Sequence, residues 1–385
     1  MEEHISEPIT TLDAPTAPKR TRFQEFWLLF RENRLAIAGM CIFVLFFFTA
    51  LVGIFLTSGN SPVLNPSIIR LQEKLRPPMA PPNLESLRSE EVPTLGVYLF
   101  GTDDLGRDVF ARMLQGAWVS LTVGFVAVGI SVFVGIFLGG IAGYYGQHAI
   151  RIDQMLLSGL MAVGIGLFFA RSAGAGAAFF LPGVVLAVFM KRFDPKNPGP
   201  PWLSRLRINI FNTDTLIMRL VDIMLCFPSF FLILTVVALL PASIYNIMIV
   251  IGLTSWMGTT RFVRAEFLSL REQDFVMAAR ALGVGNYRII FRHMMPNAIA
   301  PVLVSATIGI ASAMLTEAGL SFLGFGVPPP HATWGNILSD GKRFIFDAPW
   351  LTFIPGFAIL IVVLSFNLFG EGLRDVLNPK LRERH

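Results

Sequence analysis

The sequence predicts an all-α protein that crosses a membrane several times. Hydrophobic residues make up 54% of the chain, charged residues only 15%, and the mean hydropathy is +0.62. A soluble domain of 385 residues could not bury that much apolar surface. The lysines and arginines lie between apolar runs, as in the cytoplasmic loops of membrane proteins, and form no stripe of the kind that binds nucleic acid.

Each predicted membrane helix is a run of about 20 mainly apolar residues, which is enough to cross roughly 30 Å of hydrocarbon. The strong runs are 35–57, 118–143, 216–240, 245–265, 298–323 and 350–370. The runs 155–170 and 174–190 are shorter and weaker. The first run follows a polar leader and is too long for the apolar part of a signal peptide, so we expect an uncleaved membrane helix.

The polar leader ends in a stretch with one apolar helical face. Phe23, Phe26, Trp27 and Phe30 recur at helical spacing with charges opposite, which is typical of an amphipathic helix lying in the membrane surface. The alternative is that this stretch begins one long first helix. The polar residues 31–34 separate it from the apolar run and favour a separate helix.

Basic residues set the predicted orientation. They cluster before the first span, so we expect the leader 1–34 to be cytoplasmic. Counting crossings places 58–117 outside the cell and both 264–297 and the tail 371–385 inside. The last two segments are rich in arginine, which agrees with the count.

The second predicted span carries small residues on one face. Gly135, Gly139 and Gly143 follow Ala127 and Ser131 at intervals of four residues, so all five line one side of the helix. Small residues let helices approach closely in lipid. This face therefore packs on another helix, either inside the chain or across a dimer interface.

No convincing motif for catalysis, metal binding or nucleotide binding is present. Cys41 and Cys226 each lie inside an apolar run, where we expect small buried side chains and neither a disulfide nor a metal site. The segment "GNILSDGKR" at Gly335 resembles a phosphate-binding loop, but five residues separate its glycines and Arg343 replaces the Ser or Thr that holds magnesium. The chain is therefore predicted to be neither an enzyme nor an ATPase.

Two acids in predicted spans are candidate functional residues. Asp222 follows Arg219 by one helical turn, which predicts a local ion pair. Glu317 lies well inside a span, where leaving an acid in lipid is costly, so that a functional role is expected by default. A hydrogen bond to a neighbouring helix is the equally weighted alternative for Glu317.

A polar helical hairpin interrupts the apolar runs at "DFVMAARALGVGNYRIIFRHMMPNAIAP", which begins at Asp274. Gly283 is predicted to end the first short helix in the left-handed conformation. Asn286 is predicted to cap the second helix, and Pro296 to mark the start of the next membrane span.

The predicted surface of this hairpin favours docking. Ala278 and Ala279 present a small, smooth surface around which Arg280 and Arg288 can project, and such a shape fits a groove on another protein. A basic loop resting on anionic lipid headgroups is the alternative.

The segment "AARALGVGNYRIIFRHMMPN" resembles the cytoplasmic EAA loop of ATP-binding-cassette (ABC) importer permeases. The residues that match at the family's spacing are Ala278, Ala279, Gly283 and Pro296. Met277 stands where that family often has Glu, and His293 stands where Ile is common. The helix–glycine–helix form survives both changes.

Further motifs resemble the C-type subunit of the dipeptide/oligopeptide permease family. In chain order they are "FGTDDLGRDVFARMLQGAWVSL", "GYYG", "MRLVDIMLCFPSFFL", "EAGLSFLGFG", "PPPHATWGNILSDGK" and "FGEGLRDVLNPKL". The resemblance covers the chain from about Phe23 to the C-terminus, except from about Gln147 to Thr213.

This resemblance implies a fold, a set of partners and a mechanism. The fold is the type I ABC importer bundle of six core membrane helices, with its permease core at 118–370, in the inner membrane of a bacterium. A similar sister permease would complete the path as a heterodimer, two ATPase subunits would bind ATP and magnesium, and an extracytoplasmic solute-binding protein would deliver a peptide or similar small solute. The residues implied in coupling to the ATPases are Met277, Ala278, Ala279, Arg280, Gly283 and Pro296.

A secondary transporter that is not coupled to ATP is the alternative function. Such a protein would show an inverted repeat with paired broken helices, and no such pairing is visible in the sequence.

Residues 148–213 interrupt the resemblance. Their two weak apolar runs are joined by "RSAGAG" and flanked by basic residues on both sides, which favours cytoplasmic ends. We predict an added membrane hairpin at the periphery of the bundle, which would give eight spans. A re-entrant or interfacial pair that never crosses is the alternative.

Overall fold

The computed structural model describes residues 21–59, 61–88, 91–147, 149–151 and 209–377, which are mainly helical. The helices are α1 (Arg22–Glu32), α2 (Arg34–Thr57), α3 (Val109–Tyr144), α4 (Thr213–Leu225), α5 (Ser229–Leu239), α6 (Ile244–Arg271), α7 (Asp274–Ala281), α8 (Asn286–Phe322), α9 (Trp334–Gly341) and α10 (Trp350–Leu377). Short 3₁₀ turns lie at Leu71–Glu73 and Lys342–Phe344.

A short antiparallel pair of strands, β1 (Ala149–Arg151) and β2 (Asn209–Asn212), follows α3 and precedes α4. These strands flank the predicted inserted hairpin. The two apolar runs of that hairpin fall within 152–208, outside the described residues.

Four helices in the described part of the chain, α2, α3, α8 and α10, are long and apolar enough to cross a membrane. The pair α4 and α5 forms a fifth span if it is counted as one. Helix α6 has 28 residues, but its polar side chains keep its hydropathy below that of the other four. The prediction of an all-α polytopic membrane protein is confirmed.

The predicted span 216–240 is wrong as a single helix. It consists of α4 and α5, which meet at 78°. Pro228 lies at the break, where it supplies no backbone N–H and restricts Phe227 to extended conformations, so a regular helix cannot continue. The apolar pattern runs across the break and gives no sign of it.

Besides α8, which begins at Asn286 instead of 298, three helices extend beyond their predicted apolar runs. Helix α3 begins at Val109 instead of 118, where the Asp108 carboxylate caps it by accepting the Phe110 N–H. In its first turns the polar side chains of Arg112 and Gln115 are buried with hydrogen-bonding partners. Helix α6 ends at Arg271 instead of 265, and α10 ends at Leu377 instead of 370. Polar residues at helix ends lower the hydropathy by which a span is recognised, although they do not break the helix.

Helix α1 is separate from α2, as the polar residues between them predict. Thr21 and Gln24 form a capping box at its start, and the Asn33 side chain accepts two backbone N–H groups at the start of α2. Phe30 is buried in an edge-on contact with Phe369 of α10, with 6.0 Å between ring centroids. Part of the apolar face predicted to meet lipid therefore packs on the protein.

Among the described helices, α3 and α6 share the most extensive contact. A Cβ atom added to Gly135, Gly139 or Gly143 would come within 2.5–2.6 Å of atoms of α6. The glycine face of α3 thus packs inside this chain, which was one of the two alternatives. Helix α2 packs on α3 and α10, and α8 packs on α3 and α10.

Cys41 and Cys226 are both exposed, so the prediction that they are buried is wrong. Cys41 lies in α2, and Cys226 directly follows α4. In a membrane protein the side chains that meet lipid are as apolar as those in the core. An apolar sequence context therefore does not tell which way a cysteine faces.

Candidate functional site

The polar hairpin is formed by α7 and the first turns of α8. Gly283 joins them with a φ of +74°, the left-handed conformation that the sequence predicts. Its N–H donates to the Arg280 carbonyl at 2.9 Å, and the Val284 N–H donates to the Ala279 carbonyl at 3.0 Å. These two bonds are a Schellman motif, which satisfies carbonyl groups at the end of α7 and turns the chain sharply.

The two alanines of α7 face different ways. Ala278 is exposed, whereas Ala279 is 6% exposed and packs among the apolar side chains beneath the hairpin. The prediction that both residues form the outer surface is therefore wrong for Ala279. Neighbouring residues of a helix point roughly 100° apart, so only one of the two can face away from the bundle.

An apolar cluster anchors the hairpin to the bundle. Val276 of α7 and Ile289 and Met294 of α8 are fully buried in one cluster with Val263 and Phe267 of α6. A displacement of the hairpin therefore acts on two long helices at once, since closely packed side chains transmit strain.

Asn286 does not cap α8, and that prediction is wrong. Gly285 occupies the cap position and Asn286 is the first helical residue. The Asn286 side-chain oxygen accepts a hydrogen bond from the Tyr144 hydroxyl at 2.8 Å, and the Arg280 guanidinium lies 5.4 Å from the centre of the Tyr144 ring. Tyr144, from the "GYYG" segment, thus ties the end of α3 to both arms of the hairpin.

The second arm of the hairpin continues directly into a membrane helix. Helix α8 makes a π-helical turn at Ile289–Met294, where the Met295 N–H donates to the Ile290 carbonyl. Pro296 lies in the first turn of the α-helical part Met295–Phe322, as predicted, but no break separates the two parts. The wider π turn makes room for the proline ring, which would otherwise clash with a carbonyl of the preceding turn.

The tip of the hairpin exposes large apolar side chains. Leu282 is 83% exposed and Tyr287 is 75% exposed, with Met277 and Phe291 about half exposed beside them. Sequence analysis did not identify Leu282 or Tyr287, because no pattern shows whether an apolar residue near a turn packs back on its own helix. Large apolar side chains exposed together at a polar turn, with the Tyr287 and Phe291 rings in contact, indicate an interaction site.

Glu317 is buried in α8, with 1% of its surface exposed. Its carboxylate accepts hydrogen bonds from the Ser321 hydroxyl at 2.7 Å and from the Ser120 hydroxyl of α3 at 3.4 Å. The hydrogen bond to a neighbouring helix, one of the two alternatives for this residue, is therefore present. No cation pairs with Glu317 among the described residues.

Asp222 pairs with Arg219 at 3.8 Å, as predicted, and more closely with Arg261 of α6 at 2.6 Å. All three side chains are about half exposed or more, so the energetic contribution of these pairs is small. Their effect is to link α4 to α6.

A cleft of about 260 Å³ lies between α3, α6 and α8 and has no charged residue in its lining. The hydroxyl side chains on its wall are Ser131, Ser255, Thr259, Ser305, Ser312 and Thr316. The cleft shares Ser305 and Ile308 with a second cavity of about 700 Å³, which is lined by Glu266 and Arg374 near the ends of α6 and α10. The two cavities are therefore neighbours along α8.

Two family models match separate parts of the chain. Residues 211–383 match the binding-protein-dependent transport system inner membrane component family. Residues 21–78 match the N-terminal TM domain of oligopeptide transport permease C.

Curated relatives match along nearly the whole chain. The dipeptide transport system permease protein DppC of Alkalihalophilus pseudofirmus is 34% identical, over 99% of this chain and 100% of its own length. The DppC protein of Haemophilus influenzae is 33% identical, over 95% and 97% of the two chains. The oligopeptide transport system permease protein OppC of Bacillus subtilis is 29% identical, over 94% and 90%. The chain therefore belongs to the dipeptide/oligopeptide permease family, whose members are membrane-spanning transport subunits of ABC importers and not enzymes.

Proposed function

We propose that this chain is one of two permease subunits of a bacterial inner-membrane importer for peptides or similar small solutes. The observation that carries the proposal is the hairpin, whose base is buried in the bundle while its tip exposes Leu282 and Tyr287. The dipeptide and oligopeptide permeases among its relatives support the substrate class.

The remaining components follow from this role. A homologous sister permease completes the path, two ATPase subunits bind ATP and magnesium, and an extracytoplasmic protein delivers the solute. The basic residues favour cytoplasmic N- and C-termini, with 58–117 outside and the coupling loop 264–297 inside. The ATPases would then lie beneath the hairpin.

A protein groove suits the hairpin better than a lipid surface does. The Arg280 guanidinium lies over the Tyr144 ring, so its charge is directed toward the bundle. The most exposed residues of the tip, Leu282 and Tyr287, are apolar or aromatic. Aromatic and aliphatic anchors of this kind fill pockets at the centres of protein interfaces.

The proposed mechanism is alternating access. Closure of the ATPases moves the hairpins, and each hairpin acts on α6 and α8 through the cluster around Val263, Phe267 and Ile289. These same helices line the hydroxyl cleft, so their displacement opens or closes it. Because the cleft carries no charge, it can pass peptides that differ in their side chains.

Leu282→Glu tests the coupling surface. Because the wild-type side chain is 83% exposed, the variant should fold and enter the membrane normally. A desolvated glutamate in the groove of the ATPase should reduce its co-purification by at least tenfold, which corresponds to roughly 1.4 kcal/mol. Ser269→Glu is the matched control, because it adds the same charge at an exposed position of the same loop but outside the hairpin, and it should retain the ATPase. Full retention of the ATPase by Leu282→Glu would contradict the coupling role.

A further inference from the structure

A pocket of about 450 Å³ lies at the end of the bundle opposite the hairpin. Its walls come from the turn that precedes α3, the last turn of α8 and the loop that follows it, and helix α9. Its volume is in the range of small-molecule binding sites. With the orientation proposed above, this pocket faces the outside of the cell.

The charged groups behind and around the pocket form a network that is largely closed. Asp103, which is fully buried, pairs with Arg107 at 2.6 Å and with Arg112 at 2.5 Å. The same two arginines pair with Asp340 at 3.2 and 3.0 Å. Both guanidinium groups are thus shared between two carboxylates.

The Asp104 carboxylate takes no part in this network of ion pairs. Its Oδ1 atom is buried without a hydrogen-bond partner, and no ion pair is formed by its carboxylate in the described structure. Burial, followed by the charges of Asp103 and Asp340, raises the pKa of Asp104. An acceptor without a protein partner at the wall of a pocket can accept a hydrogen bond from a donor that enters the pocket.

The composition of the pocket specifies that donor. Asp104 and Asp340 line the pocket with Arg107 and Arg112, and Asp103 lies behind it. Counting His331, which also lines the pocket, as neutral, this leaves one negative charge in excess. Part of the wall is the run 328–330, whose three prolines offer carbonyl acceptors but no N–H donor. A carboxylate or phosphate would lack a free cationic partner here, because both guanidinium groups already pair with carboxylates. A cation with several N–H groups matches both the negative charge and the acceptors.

A second carboxylate lies directly beneath the pocket. Ser321 lines the pocket, and its hydroxyl donates to the buried Glu317 at 2.7 Å. Because the Ser321 hydroxyl already donates its hydrogen to Glu317, it can offer a ligand in the pocket only its oxygen, as an acceptor. Lys342 is not part of the lining, and its ammonium donates instead to the Phe322 carbonyl at 3.1 Å.

We propose that this pocket binds the primary ammonium group of the solute, the amino terminus of an arriving peptide, with Asp104 as its main acceptor. The inference rests on the proposed function for the identity of the solute. Its chemistry, a carboxylate that recognises a free amine, is independent of whether transport follows.

Direct binding to the assembled transporter tests the proposal. The full complex is purified in lipid nanodiscs without the solute-binding protein and titrated with dialanine and with N-acetyl-dialanine. The wild type should bind dialanine at least tenfold more tightly than the acetylated peptide, and Asp104→Asn should lose about tenfold of the affinity for dialanine alone. Asp104→Glu keeps the charge and should keep most of the preference for the free amine.

Asp347→Asn is the matched control. Asp347 is exposed on the same side of the bundle and does not line the pocket, so its removal changes the net charge equally and should leave binding unchanged. Equal binding of the two peptides by the wild type, or an equal loss in Asp347→Asn, would overturn the proposal. If Asp104→Asn does not assemble, the comparison of the two peptides on the wild type decides.

Peptide uptake into proteoliposomes, with the solute-binding protein and ATP present, is measured separately. Uptake without amine-dependent binding in nanodiscs would reject the Asp104 site and leave the proposed function intact. Amine-dependent binding without peptide uptake would reject the proposed transport function and leave the site intact.

Discussion

Gly283 and Gly285 differ in backbone conformation although they are only two residues apart. Gly283 has a φ of +74°, whereas Gly285 has a φ of −64° and a ψ of 145°. No heavy atom lies within 4 Å of a Cβ atom added at either position. Steric crowding therefore cannot distinguish the two residues, and only the conformation at Gly283 requires glycine.

Valine at these two positions separates conformation from packing. Gly283→Val should destabilise the turn by about 1–2 kcal/mol, because a β-branched residue is strained in the left-handed region. ATP-driven uptake should fall while the protein remains in the membrane. Gly285→Val places valine in an extended conformation that it favours, and uptake should stay near normal. Equal uptake by both variants would show that the turn does not limit coupling.

At the scale of elements, the contact between α3 and α6 depends on the absence of side chains. A Cβ atom at Gly139 would lie 2.6 Å from the Thr260 carbonyl oxygen and 2.8 Å from Val263 Cβ. Gly129, on the same helix, has no neighbour within 4 Å. Alanine at Gly129 therefore shows the effect of helix propensity in α3 without a change in packing.

Gly139→Ala should lower the thermal stability of the purified protein, since overpacking a close contact costs about 1–3 kcal/mol. Gly129→Ala should be neutral or stabilising by up to about 1 kcal/mol, because alanine is the better helix former. The melting temperatures of the two variants and the wild type are compared in the same detergent, with a probe that does not react with thiols. An unchanged melting temperature for Gly139→Ala would mean that the two helices can separate at little cost.

Local rules predicted most of the long apolar helices and the turn at Gly283, because an apolar run and a left-handed residue are each properties of neighbouring residues. The early start of α3 could not be predicted, since the partners of the buried Arg112 include Asp340, far along the chain. The burial of Ala279 depends on which side of α7 meets the bundle, and that is decided by tertiary packing. Asp104 gave no signal in the sequence, because its lack of a partner is visible only in three dimensions.

At the scale of the whole molecule, the segment between the two family matches sets the number of crossings. The matches cover 21–78 and 211–383, and the predicted extra hairpin at 148–213 lies almost entirely between them. Its basic flanks favour two cytoplasmic ends. If both apolar runs cross, the short "RSAGAG" connection reaches the outer surface.

A cysteine at Ser172 reports the side of the membrane on which that connection lies. The native Cys41 and Cys226 are exposed and must first be replaced by serine. A membrane-impermeant maleimide should label Ser172→Cys in intact spheroplasts, as it should label Phe346→Cys, a position 96% exposed on the predicted outer side. Leu282→Cys marks the cytoplasmic side and should react only after permeabilisation. If Ser172→Cys also reacts only after permeabilisation, a pair of helices that never crosses the membrane is favoured.

Because α8 is continuous, the second arm of the hairpin and the membrane span can move together. The helix has 37 residues, and its length is roughly 55 Å at 1.5 Å per residue. Pro301 lies inside this helix. A proline removes one backbone hydrogen bond, so the helix can bend at this point. A tilt of about 5° around this point swings the outer end by about 3 Å, given the roughly 30 Å of helix beyond it. Ser321, on the wall of the Asp104 pocket, moves with that end. If the hairpin docks on an ATPase as proposed, reciprocity requires that a solute which favours one position of α8 also changes the affinity of the hairpin for that ATPase.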